Sequence, residues 1–192
     1  QFQITVNIIA FLIAIISQVL NMDMPFTTIQ LLWVNIIMDG PPALALGLEP
    51  IRNNVFDRKP VDRNSNIITK TMITSIVLNA LYITSILLIQ MKFNILGASV
   101  DKIGNSSEME TVLFGLFAFS ALFNAFNCRE FGADSIIPNF TKNTIALEII
   151  GTTAVAQVIF TQVFTRFFNS VALSPLMWFK VIGDRKSTRL NS

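Results

Sequence analysis

Five stretches of this chain are long and apolar enough, or nearly so, to cross a lipid bilayer, and nothing else constrains its fold as strongly. They run from Phe2 to about Leu20, about Thr27 to Leu48, about Ile67 to Met91, about Glu110 to Cys128, and about Thr144 to Phe168. A spanning helix needs about 20 mostly apolar residues. A sixth stretch begins near Pro175 and stops at Gly183. In hydrocarbon every backbone N–H and C=O must find its partner within the chain, so such stretches fold as helices. The expectation is an all-α, polytopic transmembrane helix bundle.

Composition agrees. Of 192 residues 52% are hydrophobic and 14% charged, and the mean hydropathy is +0.59. A soluble domain carries about 25% charged residues. A disordered chain needs low hydrophobicity and high net charge, the opposite of this one. There is no His, which excludes a histidine general base, a zincin motif and a Ser-His-Asp triad. The single cysteine, Cys128, excludes an internal disulfide and a cysteine-cluster metal site. Net charge is +2, and four of the fourteen Lys and Arg fall in the last thirteen residues, so no nucleic-acid partner is implied. The partner that composition does imply is the lipid bilayer.

The connections set the topology. Asn21-Met22-Asp23-Met24-Pro25 reads as a tight turn, making the first two helices an antiparallel hairpin. Polar loops follow at Glu49–Asn66, Asn94–Glu108, Arg129–Asn143 and Asn169–Pro175. Arg52, Arg58, Lys59, Arg63, Lys70, Arg129 and Lys142 fall on one side of the bundle, against Lys92, Lys102 and Arg166 on the other. Positive charge favours the cytoplasm, so the Glu49–Lys70 connection is expected there, with the first helix entering from that side. The chain begins without Met or a charged segment, so its first stretch is not a signal peptide. It reads as a fragment whose upstream part is missing. Residues 1–183 are expected to form one membrane domain. Residues 184–192 read as a non-native tail, the alternative being a genuine basic tail after a short final apolar segment. No repeat of 20 to 50 residues recurs.

The chemistry concentrates in Gln30-Leu31-Leu32-Trp33-Val34-Asn35-Ile36-Ile37-Met38-Asp39-Gly40-Pro41-Pro42-Ala43. Asp39 falls mid-stretch, where an ionisable group is expensive and marks an ion or proton path. Asn35 is four residues earlier, on the same helical face. Pro41 and Pro42 lack N–H groups, so the carbonyls of Ile37 and Met38 lose their usual partners. Gly40 lets the backbone open. A broken helix with a carboxylate, an amide oxygen and free carbonyls at one depth suits a hard cation such as Ca²⁺. The competing reading is a proline kink with Asp39 in a sheltered polar contact.

Other polar residues allow two readings. Gln3, Asn7, Ala10, Ala14 and Ser17 form one helical stripe, on which Asn7 is either an additional oxygen ligand or interhelical glue. Ser120, Asn124 and Asn127 share a face of the fourth stretch, as do Gln157, Thr161 and Thr165 in the fifth, and helix–helix hydrogen bonding is the expectation for both. Glu148 is expected to reach the interface. Phe114, Phe117, Phe119, Phe123 and Phe126 are expected in core or lipid packing, and Trp33 and Trp178 are either interface anchors or core.

Together these residues resemble the C-terminal membrane half of P-type Ca²⁺-transporting ATPases. The Gln30–Gly47 segment carries the resemblance most specifically. Gln1-Phe2-Gln3-Ile4-Thr5-Val6-Asn7 is similar to the fifth helix of the plasma-membrane type, and Asp57-Arg58-Lys59-Pro60 to the loop after the sixth. The resemblance implies helices five to nine and the start of ten. It implies Asn35 and Asp39 as sixth-helix metal ligands and Asn7 as the fifth-helix asparagine of the transport site. Ala10 and Ala121 stand where the two-ion sarcoplasmic-reticulum type has acidic ligands, and Met38 stands for a ligand Thr. This implies one Ca²⁺ per cycle, as in the plasma-membrane type. The Asp-Gly-Pro-Pro run also resembles secretory-pathway Ca²⁺/Mn²⁺ pumps, which leaves Mn²⁺ open.

The phosphorylation motif, the nucleotide and actuator domains that would bind Mg²⁺ and ATP, and the fourth helix are absent from this sequence. The N-terminal half of the same polypeptide is therefore the expected partner. Alone, the chain has fewer oxygens than the six to eight that Ca²⁺ takes, so the isolated fragment is expected to be inactive and to bind Ca²⁺ weakly. A multi-pass location in a cell membrane, a bacterial plasma membrane, follows from the resemblance and the short loops. The other classes are a secondary cation transporter and a non-transporting scaffold.

Overall fold

The computed structural model describes residues 1–38, 40–47, 69–103, 106–128 and 144–183. The basic loop with Arg52, Arg58, Lys59 and Arg63, the Arg129–Asn143 connection, residues 184–192 and Asp39 itself lie outside the described residues.

Helix α1 (Phe2–Val19) buries Phe2, Val6, Ile9 and Ile13, spaced three or four apart, and leaves Phe11, Ile15 and Val19 exposed. Its outer face is thus as apolar as its inner one, which a bilayer accepts and water does not. It ends through the expected turn: Asn21 takes a left-handed φ of 53°, and the Met22 N–H donates to the Ser17 carbonyl at 2.8 Å. Helix α4 (Lys70–Phe93) follows the same rule, with Ile76, Ala80, Ile83 and Leu87 inside and Ile73, Val77 and Leu81 outside. The exposed hydroxyls of Thr74 and Ser85 donate to the carbonyls of Lys70 and Leu81, so no polar group on that face asks for water.

Helix α5 (Glu108–Cys128) is the centre of the bundle, and α1 and α4 both pack on it. Its start is fixed by a capping box, in which the Glu110 N–H donates to Ser107 Oγ and the Ser107 N–H to Glu110 Oε2. Phe114, Phe117 and Phe119 are all core, stacked or edge-on to Phe168, Phe26 and Trp178 at 6.0, 4.9 and 6.1 Å. A Cβ at Gly115 would sit 3.3 Å from Val181 Cγ1, so this glycine lets the last helix approach. Trp178 is core as well. Three helices have the length and apolarity to cross a membrane: Phe2–Val19, Lys70–Phe93 and Glu108–Ala125. The all-α transmembrane expectation holds.

The remaining helices are α6 (Thr144–Val163), α7 (Thr165–Phe168) and α8 (Pro175–Gly183). The fifth apolar stretch is therefore not one continuous helix to Phe168. It breaks at Phe164 (φ −99°, ψ 43°), where the Ser170 hydroxyl supplies the donor for the Thr161 carbonyl. The Asn94–Glu108 loop is also more ordered than its polarity suggested. Asn94 ends α4 in a left-handed conformation and clamps Ala98 through both amide atoms. Strands β1 (Lys102–Ile103) and β2 (Ser106–Ser107) then pair antiparallel.

The connections after α1, α4 and α6 meet at one end of the bundle, as the alternating topology requires. The Gln30 Nε2 donates to the Phe168 carbonyl at 2.9 Å, the Ser106 hydroxyl to the Asn169 carbonyl, and the Val171 N–H to Thr111 Oγ1 at 2.8 Å. Lys180 reaches along its helix to the Leu96 carbonyl at 2.9 Å.

Candidate cation site

The second apolar stretch is broken where its sequence says it should be. Helix α2 (Thr28–Trp33) passes into a π-helical turn (Val34–Met38), and helix α3 (Gly40–Gly47) resumes beyond Asp39. Single π turns within helices are uncommon and concentrate at functional sites. The cause is local. Pro41 removes the N–H that would close the α-helical bond to the Ile37 carbonyl, and Pro42 removes the one that would close the π bond to it. Gly40 contributes less than its type suggests. A Cβ there would meet nothing within 4 Å, and Gly40 is not among the positive-φ residues. The opening rests on the prolines.

Both ends of the α2 approach are held firmly. Thr27 and Gln30 form a reciprocal capping box at 3.3 and 3.0 Å. One turn on, Trp33 Nε1 donates to Gln157 Oε1 at 2.7 Å, and its ring packs against Phe160 and Phe168 at 4.8 and 5.0 Å. Trp33 is thus a core anchor. The Gln157–Thr161 pair is the interhelical polar contact expected of it: Gln157 is fully buried, takes the Trp33 proton and donates to Thr161 Oγ1 at 3.2 Å. Past the break, Ile37 and Pro41 border a cleft of about 450 Å³, faced on α6 by Glu148, Thr152 and Thr153. Glu148 is exposed, as expected.

Of the three residues named as metal ligands, Asn35 lies in the π turn and Asn7 on α1, and both side chains are exposed. Asp39 lies outside the described residues. Neither asparagine makes a side-chain hydrogen bond among the described residues, so the interhelical reading of Asn7 finds no partner there. The described residues hold no group of three or more acidic, Cys or His side chains. A cation site here is built from amide and carbonyl oxygens around one carboxylate. On α5, Ser120 and Asn124 are buried, but the expected helix–helix hydrogen bond of Asn124 is not formed: neither of its amide atoms has a partner. The Asn127 side chain lies outside the described set.

Comparison with known proteins agrees with this architecture. The family model described as cation transporting ATPase, C-terminus, matches residues 23–183. Calcium-transporting ATPase 12, plasma membrane-type, of Arabidopsis thaliana is 35% identical over 178 residues, which covers 93% of this chain. Calcium-transporting ATPase 10, plasma membrane-type, of the same plant is 35% identical over 187 residues, or 95% of this chain. Calcium-transporting ATPase 1, plasma membrane-type, of Oryza sativa subsp. japonica is 37% identical over 183 residues. The chain spans 17% of the length of each of these relatives. It belongs to the family of C-terminal membrane regions of P-type cation-transporting ATPases.

Proposed function

We propose that this chain, as a member of that family, is the membrane portion of an ATP-driven Ca²⁺ efflux pump of the plasma-membrane type and supplies part of one intramembrane Ca²⁺ site. The observation that carries the reading is the π turn placed immediately before Asp39-Gly40-Pro41-Pro42. An opened helix offers backbone carbonyls beside the Asp39 carboxylate and the Asn35 amide. A hard cation takes six to eight such oxygens, more than these residues hold. The rest of the shell, with the ATP- and Mg²⁺-binding machinery, belongs in this reading to other parts of the same polypeptide, and the chain alone is inactive. The names of the plant relatives support Ca²⁺ as cargo.

In mechanistic terms, Asp39 and Asn35 receive the ion between the helices. Asp39 supplies the charge that offsets the cost of dehydrating it, and Asn7 on α1 contributes an amide oxygen. Phosphorylation elsewhere in the polypeptide then changes which side of the membrane the site faces. The test is phosphoenzyme formation from labelled ATP by the full-length polypeptide, with and without micromolar Ca²⁺, for wild type and Asp39→Asn. Ca²⁺-dependent labelling that the variant loses is the expected result. Labelling driven by Mn²⁺ but not Ca²⁺ changes the cargo, and Ca²⁺ activation unaltered in Asp39→Asn refutes the ligand assignment.

A further inference from the structure

The least satisfied side chain in the middle of the bundle is Asn124. It is 1% exposed, and both Oδ1 and Nδ2 lack a hydrogen-bond partner. A buried amide with neither end paired is rare in folded proteins and asks for an explanation. Its neighbours do not supply one, since Ala121 and Ala125 are apolar and fully buried.

The direction of the amide follows from contacts on the same helix. Gly115 and Phe119 mark the face of α5 that meets α8, through Val181 and Trp178. Phe117 marks the opposite face and stacks on Phe26, just ahead of α2. Asn124 is seven residues beyond Phe117, about two turns, and so lies on that same opposite face. Its depth is bracketed by two aromatic contacts, because α2 and α5 start at the same end of the bundle and run the same way. Advancing seven residues from the Phe26–Phe117 pair brings Asn124 level with about Trp33. Phe168 joins Trp33 to Phe114, and advancing ten residues from there brings it level with about Ala43. The break at Asp39–Pro42 lies between these limits. Helix α5 packs directly against both the π turn and α3.

Two unmet needs therefore share one depth on packed helices. The Ile37 carbonyl has proline at both the α and the π donor position, and the Asn124 amide has neither bond made. We propose that Asn124 is a further residue of the divalent-cation site, its Oδ1 facing the ion or a water of its shell from α5. This rests on the pump reading and deepens it. It adds a neutral oxygen from a third helix to Asn7, Asn35 and Asp39. A neutral amide adds coordination without a second charge, which fits a site carrying a single buried carboxylate.

The test compares wild type, Asn124→Leu, Asn124→Ala and Asn124→Asp in the full-length polypeptide, titrating Ca²⁺ in phosphoenzyme formation. Asn124→Leu and Asn124→Ala are expected to need about tenfold more Ca²⁺ for half-maximal labelling, the loss typical of disrupted metal-site support, and to reach wild-type labelling at millimolar Ca²⁺. Asn124→Asp keeps an oxygen and is expected to fall within about threefold of wild type. The melting temperature of each preparation separates this from a folding defect. A purely structural Asn124 would lower the melting temperature of the Ala variant and leave its half-maximal Ca²⁺ unchanged, which overturns the proposal. So does wild-type half-maximal Ca²⁺ in both apolar variants while Asp39→Asn abolishes activation, a result that spares the pump reading. Absence of Ca²⁺-dependent labelling in wild type removes both.

Discussion

The hydrogen bond between Trp33 and Gln157 ties the approach to the broken helix to α6, and its strength can be measured with a double-mutant cycle. Trp33→Phe keeps an aromatic ring against Phe160 and Phe168 but removes the Nε1 donor. It strands Gln157 Oε1, on a side chain with no exposure, 2.7 Å from where its partner was. Stranding a buried acceptor costs about 1–3 kcal/mol. Hydrogen bonds between membrane helices average about 0.6 kcal/mol and reach about 1.7. The 2.7 Å distance and complete burial of Gln157 place this bond in the upper part of that range, so about 2 kcal/mol is expected for Trp33→Phe. Gln157→Leu strands the indole N–H and also loses the contact to Thr161, for a similar cost of about 2 kcal/mol. In the double variant both polar ends are gone, and the loss should be about 3 kcal/mol, short of the sum by about 1 kcal/mol. The assay is equilibrium unfolding by SDS titration in mixed micelles, followed by far-UV circular dichroism. Additivity of the two single losses to within about 0.3–0.5 kcal/mol would refute the claim that this bond, and not ring packing, couples α2 to α6.

Two further perturbations probe other joints. Asn94→Ala forces alanine into a left-handed conformation (φ 46°) and removes the clamp on Ala98, and should cost about 2 kcal/mol in the same titration, whereas Asn94→Gly should recover about half of that. Gly115→Leu drives a side chain into Val181 and Trp178 and should lower the melting temperature by several degrees, while Gly115→Ala, whose 3.3 Å contact is offset by better helix propensity, should lie within about 1 kcal/mol of wild type.

The spans were legible because apolar length is a property of sequence alone, and the break was legible because Pro41 and Pro42 remove specific donors. Two capping boxes, Thr27 with Gln30 and Ser107 with Glu110, follow a pattern readable three residues apart. The π form was not legible. Pro41 and Pro42 dictate that the ladder fails, while the turn that replaces it is set by how α2 is held, and Gln157 holds it from 124 residues away. The same separation left Trp33 and Trp178 undecided between interface and core until their partners were known. The break at Phe164 had no proline or glycine to announce it, only a serine six residues on. For Asn124, the helical stripe gave its burial correctly and its bonding wrongly, because sharing a face says nothing about what stands opposite.

The bonds at the joined end of the bundle also bear on how the chain is made. Gln30 waits for a carbonyl 138 residues later, Lys180 closes onto one 84 residues earlier, and Ser106 onto one 63 residues later. At synthesis rates of about 5–20 residues per second, the Gln30 partner emerges roughly 7 to 28 s after Gln30 itself. Throughout that interval the second helix holds an amide in the bilayer with its final acceptor not yet made. Insertion of the individual helices and their closure into a bundle are therefore separate events in time. The half-finished chain is the form most exposed to quality control, and substitutions at Gln30 or Phe168 should change the yield of folded protein well before they change what the finished protein does.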